Sequence, residues 1–346
     1  MENINMGEKW SIFTPEQVGF QEFFTDSLKD LYQRFLDFKE GENATYIPDL
    51  ATADPDWFGI SIMTTDGQVY SIGDTAELLT IQSISQPLVY GMVLEEWGEE
   101  YVLNKIGVEP TGEPFNDIME AQEIKDRKYN PMVNAGALIT TSLIKGKNLE
   151  EKRHKLLTMF SRYFGRDVNI NDSIFGSRKT GDSWNRAIAY MMLNFGLIEG
   201  NVEEILDLYF QQCSISVNCQ DLALMAATLA NQGLNPLTGE RTINENYSKN
   251  LLSVMFSSGL YDFSGQWAYR VGLPAKSSCS GAIIGVIPNK MGIAVFSPRL
   301  GTHNKSVRGV KMCEELSQQF KLHIFKPNYS NHPFNKKRNG STELSM

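Results

Sequence analysis

Cysteine is scarce in this chain. Cys213, Cys219, Cys279 and Cys313 are the four thiols among 346 residues, irregularly spaced and without a C-x-x-C pair. That excludes a disulfide scaffold and suits free thiols in a reducing compartment, so the expected location is the cytoplasm. Histidine is equally rare: His154, His303, His323 and His332 stand far apart with no H-E-x-x-H spacing, and no metal or other cofactor is expected. Basic charge is short as well. Against 41 acidic residues the chain has 32 basic ones, a net charge of -9 that repels a phosphate backbone and argues against nucleic-acid binding. The longest apolar run, Ala282-Ile-Ile-Gly-Val-Ile287, is far below the ~20 residues that span a bilayer, so no membrane association is expected. The first ten residues lack a basic region followed by an apolar stretch, so neither a signal nor a transit peptide is expected. No internal repeat and no Gly/Ser linker breaks the sequence.

What is present is ordinary globular usage, 42% hydrophobic and 21% charged, in a chain long enough to bury a sizeable core. Phe58-Gly-Ile-Ser-Ile-Met63 and Gln68-Val-Tyr-Ser-Ile72 are rich in β-branched and aromatic residues and flank Thr65-Asp66-Gly67, which predicts a hairpin. A second pair, residues 282–287 and 292–296, is joined by Pro288-Asn289-Lys290. The stretch between the two pairs reads as helical. Asn218-x-x-Asp221 predicts a capped start to a helix over residues 222–230, ended by Gly233 and Pro236. Residues 88–96 read as a helix; 187–195 and 205–210 are similar in character, although runs this apolar also suit buried strands. Val307, Val310, Cys313, Leu316 and Phe320 recur at steps of three or four, the stripe of a terminal helix. The layout predicts an α/β (α+β) protein with a sheet lobe drawn from both ends of the chain and a helical lobe from its middle, sharing a cleft. Residues 1–24 read as an N-terminal extension, 25–326 as one domain, and 327–346, with Lys336-Lys337-Arg338, as a disordered tail.

After the first hairpin comes Gln82-Ser83-Ile84-Ser85-Gln86-Pro87, leading into a helical stretch. On a first helical turn Ser83 and Gln86 share a face, the layout of S-x-x-K serine acyl enzymes, in which lysine takes the serine proton. Here the lysine is missing. By spacing alone Ser83 is an ordinary cap or turn serine.

Longer strings change that. Gln82-Ser-Ile-Ser-x-Pro, Gly107-Val-Glu-Pro-Thr-Gly-Glu-Pro-Phe-Asn116, Asn130-Pro-Met-Val-Asn-Ala-Gly136, Asn235-Pro-Leu-Thr-Gly-Glu-Arg241 and the block from Tyr261 to Ser277 closely resemble the glutaminase family, in order, from roughly residue 40 to 322. The resemblance implies a serine β-lactamase or penicillin-binding-protein-like fold, an antiparallel sheet flanked by helices beside a helical lobe. It also implies hydrolysis of L-glutamine to L-glutamate and ammonia through a serine acyl-enzyme, and a homodimer or homotetramer. By position, Ser83 falls on the nucleophile and Tyr261 on the tyrosine beside it, a proton shuttle if a neighbouring cation lowers its pKa. Tyr46, Asn134, Asn185 and Tyr209 fall on pocket residues. The backbone amides of Ser83 and Cys279 match the oxyanion donors, and Lys276 and Ser277 the K-[ST]-G type strand.

The departures are as informative. The family's base position is Gln86, whose amide cannot accept a proton near neutral pH. The glutamate that pairs with the substrate's α-ammonium becomes Arg178, or Ser177 if the gap is placed differently, and the cation is expected to oppose that ammonium. The family's Arg-Asn pair becomes Trp184-Asn185, and the glycine after Lys276-Ser277 becomes Ser278. Three outcomes stay open: a glutaminase with a rearranged base supplied by Lys276, an inactive member binding a ligand or partner, and an amidohydrolase of altered substrate.

Overall fold

The structure, a computed structural model, describes residues 15–110 and 128–326. Residues 111–116 of the second family block, the first fourteen residues and the expected tail from 327 lie outside them. Helix α1 (Pro15–Leu36) and the short α2 (Pro48–Ala51) precede strands β1 (Gly59–Thr64), β2 (Val69–Gly73) and β3 (Leu79–Thr80). A 3-10 turn, Gln82–Ser85, opens into α3 (Gln86–Trp97), and α4 (Glu99–Lys105) follows. Next come α5 (Asn134–Ser142), α6 (Leu149–Phe164), α7 (Asp172–Gly181), α8 (Ser183–Asn194) and α9 (Val202–Cys213). Strand β4 (Ser216–Val217), α10 (Cys219–Ala230) and α11 (Glu245–Ser258) lead to a 3-10 turn at Tyr261–Phe263 and to α12 (Ser264–Arg270). Strands β5 (Ala275–Ser277), β6 (Ala282–Ile287) and β7 (Met291–Phe296) precede α13 (Val307–Phe320).

Five strands form one antiparallel sheet in the order β2-β1-β7-β6-β5, so the two predicted hairpins meet where β1 pairs with β7. Gly67, at φ +87°, supplies the left-handed residue of the first turn, and Asn289, at φ +60°, that of the second. Every residue of β6 and β7 is buried, because both faces of the sheet are covered. Ile283, Ile287, Ile293 and Val295 face α1 and α13, in a core that also holds Phe24; α1 therefore runs across residue 24 without a break. Ala282, Ile284, Ala294 and Phe296 face the helical lobe.

Helix α10 joins sheet and helical lobe. Asn218 and Asp221 form the capping box expected of it, and Arg166 pairs with the Asp221 carboxylate. Its backbone approaches β7 so closely that a Cβ on Gly292 would stand 2.2 Å from the Ala227 amide nitrogen. The apolar runs at 187–195 and 205–210 are helices rather than strands: Asp182 and Asn201 cap their first turns, and they lie in α8 and α9.

Candidate active site

Ser83 does not sit on the first turn of an α-helix. It lies in the preceding 3-10 turn, and α3 begins at Gln86. The residue before it, Gln82, adopts φ +49°, a left-handed conformation costly for a side chain of that size. Its amide holds the turn: Gln82 Nε2 donates to Thr80 Oγ1 of β3 at 2.7 Å, and Arg178 Nη2 donates to Gln82 Oε1. Ser85 Oγ donates to the Gln82 carbonyl at 2.6 Å and closes the turn from the other side.

Ser83 opens onto a cavity of about 700 Å³. Tyr46, Asn134, Ser177, Arg178, Asn185, Tyr209, Tyr261, Ser277, Ser278 and Cys279 line it with Ser83, so residues spread from 46 to 279 converge. Two expected residues are not on its surface. Gln86 and Lys276 are 1% and 0% exposed and stand behind the wall.

The polar wall is a chain of hydrogen bonds running one way. Tyr209 OH donates to Asn134 Oδ1 at 3.4 Å, Asn134 Nδ2 to Asn185 Oδ1 at 3.0 Å, and Asn185 Nδ2 to Asp182 Oδ2 at 2.8 Å. Each amide is thereby fixed against a flip. Arg178 Nη1 donates to the same carboxylate oxygen at 2.8 Å, so Asp182 collects both the chain and the cation. This changes the expected role of Arg178. Its charge is compensated inside the wall, and this side of the cavity presents an ion pair rather than a bare cation facing the substrate ammonium.

The Tyr261 hydroxyl faces Ser83 and Gln86, and the residue itself sits at φ +56°. Burial raises its pKa, and the contacts with Ser83 and Gln86 only partly offset this. The expected low-pKa phenol is therefore not found; Tyr261 offers a protonated hydroxyl that can receive one proton while giving up another. Lys276 Nζ lies 4.1 Å from the Tyr261 ring centre and donates to the Ser277 carbonyl at 3.1 Å. Burial first, and the nearby Lys305 second, hold its pKa well below the ordinary lysine value. A buried amine next to a phenol that touches the serine is the kind of perturbed group that marks reactive sites.

The model of the glutaminase family matches residues 41–325. The chain belongs to the glutaminase family. It is 57% identical over 298 residues to the glutaminase of Trichormus variabilis, covering 86% of this chain and 89% of that protein. To the glutaminase of Microcystis aeruginosa it is 53% identical over 302 residues, covering 87% and 89%. Among solved structures, the probable glutaminase YbaS superposes with a TM-score of 0.85 at 38% identity, covering 88% of this chain and 99% of that one. The Bacillus subtilis glutaminase YbgJ, in covalent complex with 5-oxo-L-norleucine, gives 0.80 at 30% identity, covering 87% and 99%. The glutaminase fold, β-lactamase-like, is thus the frame in which Gln86 and Arg178 occur.

Sequence reasoning missed several members of this glutaminase-family site. Asp182 carried a signal, since Asp-Ser before an apolar run is a helix start and its carboxylate accepts from the Asn185 amide at 3.1 Å. Cys213 lines the cavity from the end of α9, near Arg178. Lys305, whose amine lies against the Tyr261 ring behind the cavity lining, and its neighbours Asp262 and His303 carried none.

Proposed function

We propose that this pocket hydrolyses the side-chain amide of L-glutamine, with Ser83 as nucleophile and Tyr261 carrying the proton that residue 86 cannot take. Ser83 Oγ bonds to the amide carbon as its proton passes to the Tyr261 hydroxyl. Tyr261 gives a proton to the departing nitrogen, the C–N bond breaks and ammonia leaves. Water then bonds to the acyl carbon, its proton passes by way of Tyr261 to Ser83 Oγ as the ester bond breaks, and glutamate leaves. The amides of Ser83 and Cys279 are the donors for the oxyanion. Lys276, kept near neutrality by burial, holds the proton between the two transfers. The observation that carries this reading is the Tyr261 hydroxyl facing Ser83 with the Lys276 amine against its ring.

A second reading, a pocket that binds glutamine or glutamate without turnover, draws on the Gln86 amide and the Arg178–Asp182 pair. Incubation with 6-diazo-5-oxo-L-norleucine followed by intact mass separates the two. A 5-oxo-norleucine adduct on the parent and none on Ser83→Ala supports the acyl-transfer reading; no adduct, with a glutamate-induced melting shift, supports the second. A cytoplasmic homo-oligomer is part of the proposal, in line with the free thiols; among the described residues no helix is long and apolar enough to cross a membrane.

A further inference from the structure

Behind the Tyr261 ring stands a second buried lysine. Lys305, in the segment between β7 and α13, is 4% exposed, and its Nζ lies 4.9 Å from the Tyr261 ring centre. It donates to the His303 carbonyl and stands 3.9 Å from Asp262 Oδ1, while Asp262 Oδ2 is engaged by His303 Nδ1 at 2.7 Å. We propose that Lys305 is a positioning residue that supplies the site's fixed positive charge, taking over at Tyr261 the cation that Gln86 no longer provides. The inference rests on Tyr261 and Lys276 handling the proton as described above.

Distances of 4.1 and 4.9 Å from one ring centre leave the two lysine nitrogens at most about 9 Å apart. Two like charges at that separation, at an effective dielectric of about 20, disfavour double protonation by about twentyfold. Burial already disfavours the charged form of both amines and this repulsion adds to it, so the surroundings decide which of the two gives up its proton first. The groups facing Lys305 are Asp262, the His303 carbonyl, Tyr261, Lys276 and the Cys279 thiol. Those facing Lys276 are Tyr261, Lys305, the Ser277 carbonyl and the thiols Cys279 and Cys213. Of the two sets, only that of Lys305 includes a carboxylate, so Lys305 keeps the proton and Lys276 is the free amine. Burial pushes Lys305 down by more than Asp262 pulls it back, to about 8, so the amine is still mainly charged at neutral pH.

The test is a lysine 13Cε NMR titration of the full chain and of Lys305→Met and Lys305→Arg, with Lys276→Met to assign the signal. Expected is a neutral Lys276 at pH 7 in the parent and in Lys305→Arg, whose guanidinium stays charged. In Lys305→Met the Lys276 midpoint moves up by about one pH unit. An unmoved midpoint in Lys305→Met overturns the inference whether or not the protein turns over glutamine. Ammonia release adds a second readout: Lys305→Met loses about tenfold at pH 7, while Lys305→Arg retains activity above pH 8, where the parent declines. If no variant and no parent releases ammonia, the glutaminase reading fails and the titration still decides the role of Lys305.

Discussion

Replacing Asp182 by asparagine tests the wall of the cavity most severely. The side chains of Arg178 and Asp182 are 10% and 15% exposed, so the pair is largely withdrawn from water. Removing one partner of a buried pair leaves an uncompensated charge and costs about 3–5 kcal/mol. Asparagine caps a helix as well as aspartate does, so the loss of the cap on α8 contributes little. At about 2 °C per kcal/mol for a domain of this size, Asp182→Asn should melt some 6–10 °C below the parent. The double variant Arg178→Met/Asp182→Asn removes both charges and should recover to within about 2 kcal/mol of the parent. Thermal melts of the parent, both single variants and the double variant at pH 7 complete the cycle. If Asp182→Asn melts within 2 °C of the parent, or the double variant is no more stable than the worse single one, the pair does not hold the wall together.

Four further outcomes follow from the same geometry. Gln86→Lys alone should not raise ammonia release by more than about tenfold, because it adds a second ammonium to a site that already holds the charged Lys305; kcat/KM at pH 7 checks it. Lys276→Met should cost about a hundredfold or more in kcat where Gln86→Ala costs little, and equal losses would make Lys276 structural. Lys305 has a folded-state pKa of about 8 against about 10.4 unfolded, so between those values the unfolded chain binds more protons and stability rises with pH. That rise, of the order of 3 kcal/mol, should flatten in Lys305→Met when melting is followed from pH 7 to 10.5. Gly292→Ala should destabilise by more than ~3 kcal/mol, read as a lowered urea midpoint, because the new Cβ meets the α10 backbone rather than a movable side chain.

The hairpins, the capping box and the terminal helix were legible in the sequence because each is a local pattern: Asp-Gly at a turn, Asn-x-x-Asp before an apolar run, a 3–4 stripe. Helices α8 and α9 were ambiguous, because lobe burial makes their apolar runs look like strand until the caps at Asp182 and Asn201 are seen to accept from the first turn. The convergence of Ser83, Asn134, Asn185, Tyr209 and Tyr261 was legible through family resemblance and not through spacing. Charge compensation was not legible at all. Arg178 read alone is a cation opposing an ammonium; Asp182, four residues on, reverses that only once α7 ends and its carboxylate turns back. Lys305 is likewise an unremarked lysine until the strand-to-helix segment brings it against a ring 44 positions earlier in the chain.

Ammonia release from L-glutamine by the parent and by Ser83→Ala, at equal concentration and confirmed folding, bears most directly on whether this site does acyl transfer without a lysine at position 86. Release by the parent should stand well above the Ser83→Ala background and be lost in Tyr261→Phe as it is in Ser83→Ala. Equal, background release by the parent and Ser83→Ala would contradict it.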